Sequence, residues 1–278
     1  MKTQRILALW LLPFFGLVLL FQILPLLRIV ADSFYNQTGA LTFENYLKIF
    51  TNPFYLMSLQ NSIFLSFYSS VFGIGIALGG AYAITKLPVK IRDRVLMFSN
   101  MIANFAGVPL GFAFMVLLGY NGLFTILLKS LGLDLTKVFS LYSGVGLIVV
   151  YTYFQVPLGI LLLYPAFDGL RLEWKEAARN LGASDFAFWR HIGIPILLPS
   201  LLGTFSILFA NSMGAYATAY ALTSGNYNLV TVRIGALISG NMFLDPNLAS
   251  ALAVILGLTL LLLTQINDWM LKRRTEQR

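Results

Sequence analysis

The chain has 278 residues, 58% of them hydrophobic and 11% charged, against about 45–50% and about 25% in soluble domains, so an ordinary soluble fold is excluded and an all-α integral membrane protein is indicated. The absence of cysteine excludes disulfides, thiolate metal sites and thiol catalysis. A net charge of +8 would suit a nucleic-acid partner, but its distribution along the chain points to a membrane orientation instead.

Of the nineteen basic residues, Lys2, Arg5, Lys86, Lys90, Arg92, Arg94, Arg171, Lys175, Arg179, Arg190, Lys272, Arg273, Arg274 and Arg278 lie at the two ends and in two loops. The remaining Arg28, Lys48, Lys129, Lys137 and Arg233 are scattered through the opposite loops. Lys and Arg collect on the cytoplasmic side of membrane proteins. The pattern therefore places both termini in the cytoplasm and requires an even number of spans.

Residues 6–27 are an uncharged run that suffices for one crossing at about 20 residues. A cleavable signal peptide would have an apolar core of only about 7–15 residues and a small-residue site after it. No such site follows Arg28, so the run is read as a retained first span. Residues 31–58 form a mixed polar and aromatic external loop. The second span, 59–85, carries Gly73, Gly75, Gly79 and Gly80. Leu78 stands where a dinucleotide fingerprint needs its third glycine. Gly75-x3-Gly79 is read as a site of close helix packing.

A short basic turn, 86–94, is broken by Pro88 and leads to a third span, 95–118. There Asn100 and Asn104 share a helix face. They fit either interhelical hydrogen bonds or the lining of a translocation path. Residues 119–140 carry turn signals and are expected outside. The fourth span, 142–167, holds Gln155 and Pro157 at its middle.

The segment 168–195 is charged and helix-forming, between two apolar runs. Trp174, Ala178 and Leu181 fall at i, i+4 and i+7, giving one apolar face. Gly182 sits where a helix end favours positive φ, Ser184 is placed to cap a second short helix, and Pro195 disfavours helix before it. The expected product is a helix-turn-helix elbow. The fifth span, 196–222, is the most polar, with Asn211, Ser212 and Tyr216 among its hydrogen-bonding groups. Such groups must face protein or a wet cavity. Residues 223–247 are external, and a sixth span, 248–271, ends at Lys272-Arg273-Arg274. Residues 1–278 thus read as one transmembrane domain of six helices.

Glu176-Ala177-Ala178, three residues, Gly182, nine residues, then Ile192-Gly193-Ile194-Pro195 resembles the EAA loop of ABC-importer permeases. Ile194 departs from that pattern, where leucine is usual. The resemblance implies a type I ABC-importer permease fold in a bacterial cytoplasmic (inner) membrane. It also implies that the elbow is a coupling loop docking on a separate ATPase dimer, which binds the ATP and Mg. Glu176 and Arg179 would make polar contacts there, Ala177 and Ala178 would allow close approach, Gly182 the turn, Trp174 and Trp189 apolar anchoring, with Pro195 closing the motif. A second permease subunit, identical or paralogous, and an extracytoplasmic solute-binding protein are implied as partners. Length, first loop and polar fifth span look most like the polyamine-type permeases, whose relatives also move phosphonate, thiamine and ferric ion.

Apart from Asp268, three residues from the end of the sixth, the spans hold no Asp, Glu, Lys, Arg or His, whereas proton-coupled carriers usually keep one at depth. No phosphate-binding glycine-lysine loop is present. The chain is therefore expected to be a non-catalytic gate with no cofactor or metal of its own. The lone His191 lies in the elbow. A self-sufficient secondary carrier or channel is the alternative; Na⁺ sites built from carbonyls would serve it. An intramembrane enzyme lacks a catalytic constellation. Asn100, Asn104, Gln155, Asn211, Ser212 and Tyr216 are the expected path residues.

Overall fold

A computed structural model describes residues 11–240 and 244–275. Six stretches among them are helical, long and apolar enough to cross a membrane: Leu11–Asp32, Pro53–Ile84, Val108–Ser130, Gly144–Asp168, Asp185–Gly214 and Pro246–Leu271. In chain order the helices are α1 (Leu11–Asp32), α2 (Glu44–Thr51), α3 (Pro53–Ile84), α4 (Val89–Asn104), α5 (Val108–Leu118), α6 (Leu123–Ser130), α7 (Gly144–Asp168) and α8 (Leu172–Asn180). They continue as α9 (Asp185–Gly214), α10 (Tyr216–Thr223), α11 (Val230–Ser239) and α12 (Pro246–Thr275). The start of the expected first span (6–10), the basic residues Lys2, Arg5 and Arg278, and 241–243 lie outside the described residues, as do the side chains of Lys272, Arg273 and Arg274.

The bundle is built on α3, which packs along α7 and α9. Lipid offers no hydrophobic drive between helices, so close approach depends on small side chains and on hydrogen bonds. Along α3, Ser58, Ser62, Ser66, Ser69, Gly73, Ala77 and Ala81 are all buried in one stripe of about one residue per turn. A Cβ on Gly73 would lie 2.8 Å from the Gln155 Cβ, and one on Gly159 would lie 2.8 Å from the Ala77 Cβ. The expectation for Gly75 and Gly79 is corrected: both are exposed, with open space where a Cβ would stand. Two residues on from Gly73 and Ala77, they point roughly 200° round the helix from the contact face. Gly159→Val is expected to lower the melting temperature of the purified protein, because overpacking costs about 1–3 kcal/mol. Gly75→Ala in the same assay should leave it unchanged.

Polar cross-links complete the packing. Ser69 and Ser212 share a hydroxyl hydrogen bond of 3.0 Å, Gln155 Nε2 donates to the Leu208 carbonyl at 2.8 Å, and Asn267 Nδ2 donates to Ser206 Oγ at 3.0 Å.

Two helices accommodate a proline by way of a π-turn. A π-turn at Leu19–Ile23 precedes Pro25, and another at Trp189–Gly193 precedes Pro195. The expectation that Pro195 ends helical structure before it is thereby corrected. A wider turn makes room for the ring and the missing N–H donor. Two other expected spans are broken instead. Residues 95–118 fall across α4 and α5, parted at 105–107, and 196–222 fall across α9 and α10, parted at Ala215. Gly107 takes φ 79° and ψ −148°, a conformation essentially reserved to glycine.

Candidate functional sites

The elbow is formed by α8 and the start of α9. Its turn follows from Gly182, which adopts φ +81°. Gly182 N–H donates to the Arg179 carbonyl and Ala183 N–H to the Ala178 carbonyl, each at 2.9 Å, the paired bonds of a Schellman helix end. Ser184 then caps α9, accepting from Ala187 N–H at 3.2 Å. Across the turn Arg179 grips Asp185 with two hydrogen bonds of 3.1 Å, and Lys175 Nζ reaches the same carboxylate at 3.1 Å. Arg179 is thus committed within the elbow rather than held free. Asp185 is the clasp.

The elbow's outward face carries apolar side chains. Leu181 is 89% exposed and Phe186 73% exposed; Trp174, Glu176 and Ala177 are exposed beside them. Ala178 is buried, and α8 packs on the start of α9, so its small size serves the elbow itself. Trp189 turns inward. Its ring lies edge-on to Tyr82 at 5.6 Å and to Phe188 at 5.7 Å, and covers Gly193, where a Cβ would clash with it. That placement corrects its expected role: Trp189 fastens the elbow to the ends of α3 and α7, and Phe186 is the aromatic that points out. His191 is exposed and its Nδ1 lies 3.0 Å from the Ala187 carbonyl.

A second site lies where the two helix breaks meet. Thr218 Oγ1 accepts from Gly107 N–H at 2.9 Å and donates to the Gly107 carbonyl at 3.3 Å, stitching one break to the other. The Tyr151 hydroxyl donates to the Ala215 carbonyl. Irregular backbone at membrane depth is tolerated where protein buries it or a cavity needs it. A cleft of about 500 Å³ opens here, lined by Gly107, Phe154, Asn211, Gly214, Tyr216 and Thr218 among others. Asn211 and Tyr216 are exposed to it, and Tyr216 stacks with Tyr220 at 5.3 Å. Its lining includes no charged side chain.

Of the other expected path residues, Gln155 and Ser212 are buried in the α3–α7–α9 contact, which corrects their placement: helix packing consumes their hydrogen-bonding groups. Asn100 and Asn104 are exposed on one face of α4 and bond to each other, Asn104 Nδ2 donating to the Asn100 carbonyl at 2.8 Å. Thr218, buried in α10, is the residue that joins the two breaks.

At the opposite end from the elbow, asparagines tie the loops into one platform. Asn45 Nδ2 donates to the Ser33 and Tyr35 carbonyls at 3.0 and 2.9 Å. Asn247 Nδ2 reaches the Tyr35 carbonyl at 2.7 Å, and Asn61 and Asn228 link α3 to the segment before α11 at 3.0 and 2.7 Å. Arg233 donates to the Gly225 carbonyl at 2.6 Å and lies over the Phe54 ring; burial pushes its pKa below the ordinary value.

The family model described as "Binding-protein-dependent transport system inner membrane component" matches residues 69–276. The spermidine/putrescine transport system permease protein PotB of Haemophilus influenzae is 26% identical over 260 residues, covering 89% of this chain and 87% of its own. The sulfate transport system permease protein CysT of Salmonella typhimurium is 27% identical over 254 residues, with 90% and 87% covered. Among solved structures, a chain of a bacterial ABC transporter involved in the import of the acidic polysaccharide alginate superposes with a TM-score of 0.77 at 18% identity, covering 98% of this chain and 96% of that one.

Proposed function

The chain belongs to the family of binding-protein-dependent transport system inner membrane components, and from that premise we propose that this ABC-importer permease subunit carries a polyamine. As a multi-pass protein of the bacterial inner membrane it performs no catalysis; ATP and Mg would be bound by a partner ATPase dimer. The elbow, with Leu181 and Phe186 as its apolar knobs and Glu176, Trp174 and Ala177 around them, is the surface we assign to that ATPase. This reading puts the elbow, both termini and 86–94 on the cytoplasmic side, and the asparagine-tied platform outside, where a solute-binding protein would dock. A second permease copy or paralogue would close the path, because Asn211 and Tyr216 stand on a side of the cleft left open by this chain.

One observation favours a polyamine over sulfate at the path itself. The cleft offers an amide, helix-end carbonyls and the Tyr216 ring, which stacks on Tyr220, with no cationic side chain in its lining. Aromatic faces attract ammonium groups by about 0.5–2 kcal/mol, whereas a desolvated dianion would need donors of positive charge. Similarity to a sulfate permease supports sulfate as the second reading.

Uptake by the assembled transporter decides between them. Labelled putrescine or spermidine should accumulate in an ATP-dependent way, and sulfate should not; the reverse result sinks the polyamine reading. Tyr216→Ala is expected to weaken polyamine uptake by roughly threefold to thirtyfold, the value of one cation–aromatic contact, mainly in KM. Asn211→Ala should act in the same direction. Unchanged kinetics in the double variant would remove both from the path.

A further inference from the structure

Where the elbow meets the ends of α3 and α7 a separate cavity of about 140 Å³ opens, bounded by Tyr82, Lys86, Asp168, Arg171, Lys175 and Trp189 among others. Three cations face one carboxylate. Asp168 is already engaged, accepting from the Tyr164 hydroxyl at 3.0 Å and lying 3.9 Å from Arg92. Lys175 is held by Asp185 at 3.1 Å. Among the described residues neither Lys86 nor Arg171 pairs with a carboxylate, and Lys86 Nζ stands 5.3 Å above the Tyr82 ring. Two uncompensated cations therefore converge on a cavity walled by a tyrosine and a tryptophan.

The position gives this cavity its chemistry. Residues 82–86 and 167–171 are the ends of two membrane helices, so the cavity lies at headgroup level, where Trp and Tyr gather. Basic pockets between spans on the cytoplasmic side take anionic lipid headgroups. An arginine fork matches two oxygens of a phosphate, and a lysine adds a point charge.

We propose that Lys86 and Arg171 hold a phosphate group at the root of the elbow, supplied by the phosphodiester of an anionic phospholipid. The site is independent of the transported solute; it uses the proposed sidedness only to name the leaflet.

The test is lipid retention by the assembled transporter, delipidated in detergent and offered phosphatidylglycerol or phosphatidylcholine, then read by native mass spectrometry. The native protein should retain phosphatidylglycerol preferentially. Lys86→Gln with Arg171→Gln should weaken that retention roughly thirtyfold, as expected for two basic side chains near an anionic surface. Lys90→Gln with Arg94→Gln, in the neighbouring basic turn but outside the cavity, should not. All four side chains are exposed, so the variants should fold, and equal melting temperatures check it. A parallel arm follows Trp189 fluorescence, in a chain with Trp10, Trp174 and Trp269 changed to Phe, during titration with inorganic phosphate. A response to phosphate that Lys86→Gln/Arg171→Gln abolishes, without lipid retention, keeps the phosphate site but assigns it to a free anion. Retention unchanged in Lys86→Gln/Arg171→Gln, equal loss in both double variants, or no binding of either probe overturns the proposal.

Discussion

Changing Leu181 and Phe186 together to aspartate is expected to abolish solute uptake and release the ATPase, while the permease stays inserted and equally stable. Both side chains are almost bare, at 89% and 73% exposure, so the folded chain loses little with them; surface changes of this kind stay within about 0.5 kcal/mol. Buried in a partner's groove, each is worth about 1.5–3 kcal/mol, and their joint loss should weaken docking by at least about a hundredfold. Co-purification of the ATPase with tagged permease measures the effect directly. Full retention of the ATPase would show that force enters the chain elsewhere. Trp189→Ala should behave differently, lowering the melting temperature, because its ring is part of the packing between Tyr82 and Phe188.

Gly182→Val is expected to reduce uptake at least about tenfold, with the protein still present in the membrane. A Cβ at Gly182 meets nothing within 4 Å, yet the residue sits at φ +81°, so the penalty is conformational, of order 1–3 kcal/mol for a non-glycine held there. A β-branched side chain is the worst choice at positive φ. Relief by rotating out of that region would break the two bonds that end α8 and swing the knobs off their line. Gly182→Asn tests the cause, since asparagine tolerates this backbone conformation; it should recover most of the activity. Equal failure of Val and Asn would shift the explanation from backbone geometry to contact with the partner.

The family resemblance was legible because the elbow is built from local rules. A positive-φ glycine, a serine cap and a short amphipathic helix each leave a mark within a few residues. The number of apolar runs was legible for a similar reason, but the third candidate span falls at Val108–Ser130 rather than 95–118 and takes in part of the segment expected outside. Helix phase between spans was not: nothing in the sequence alone says that the contact stripe runs through Gly73 and Ala77 rather than Gly75 and Gly79. The breaks at 105–107 and Ala215 were hidden as well, because the hydrogen bonds that stabilise them come from Thr218 and Tyr151, distant from at least one break in sequence. The loop carbonyls that Asn45 and Asn61 bind likewise appear only in three dimensions.

The π-turn ahead of Pro195 has a mechanical consequence. Because the chain is spliced there rather than interrupted, Asp185–Gly214 is a single 30-residue shaft, about 45 Å long at 1.5 Å per residue. One end carries Phe186 and the other abuts the break at Ala215. A torque applied in the aqueous phase would travel along that continuous helix to the break at Ala215, beside the cleft lined by Asn211 and Tyr216.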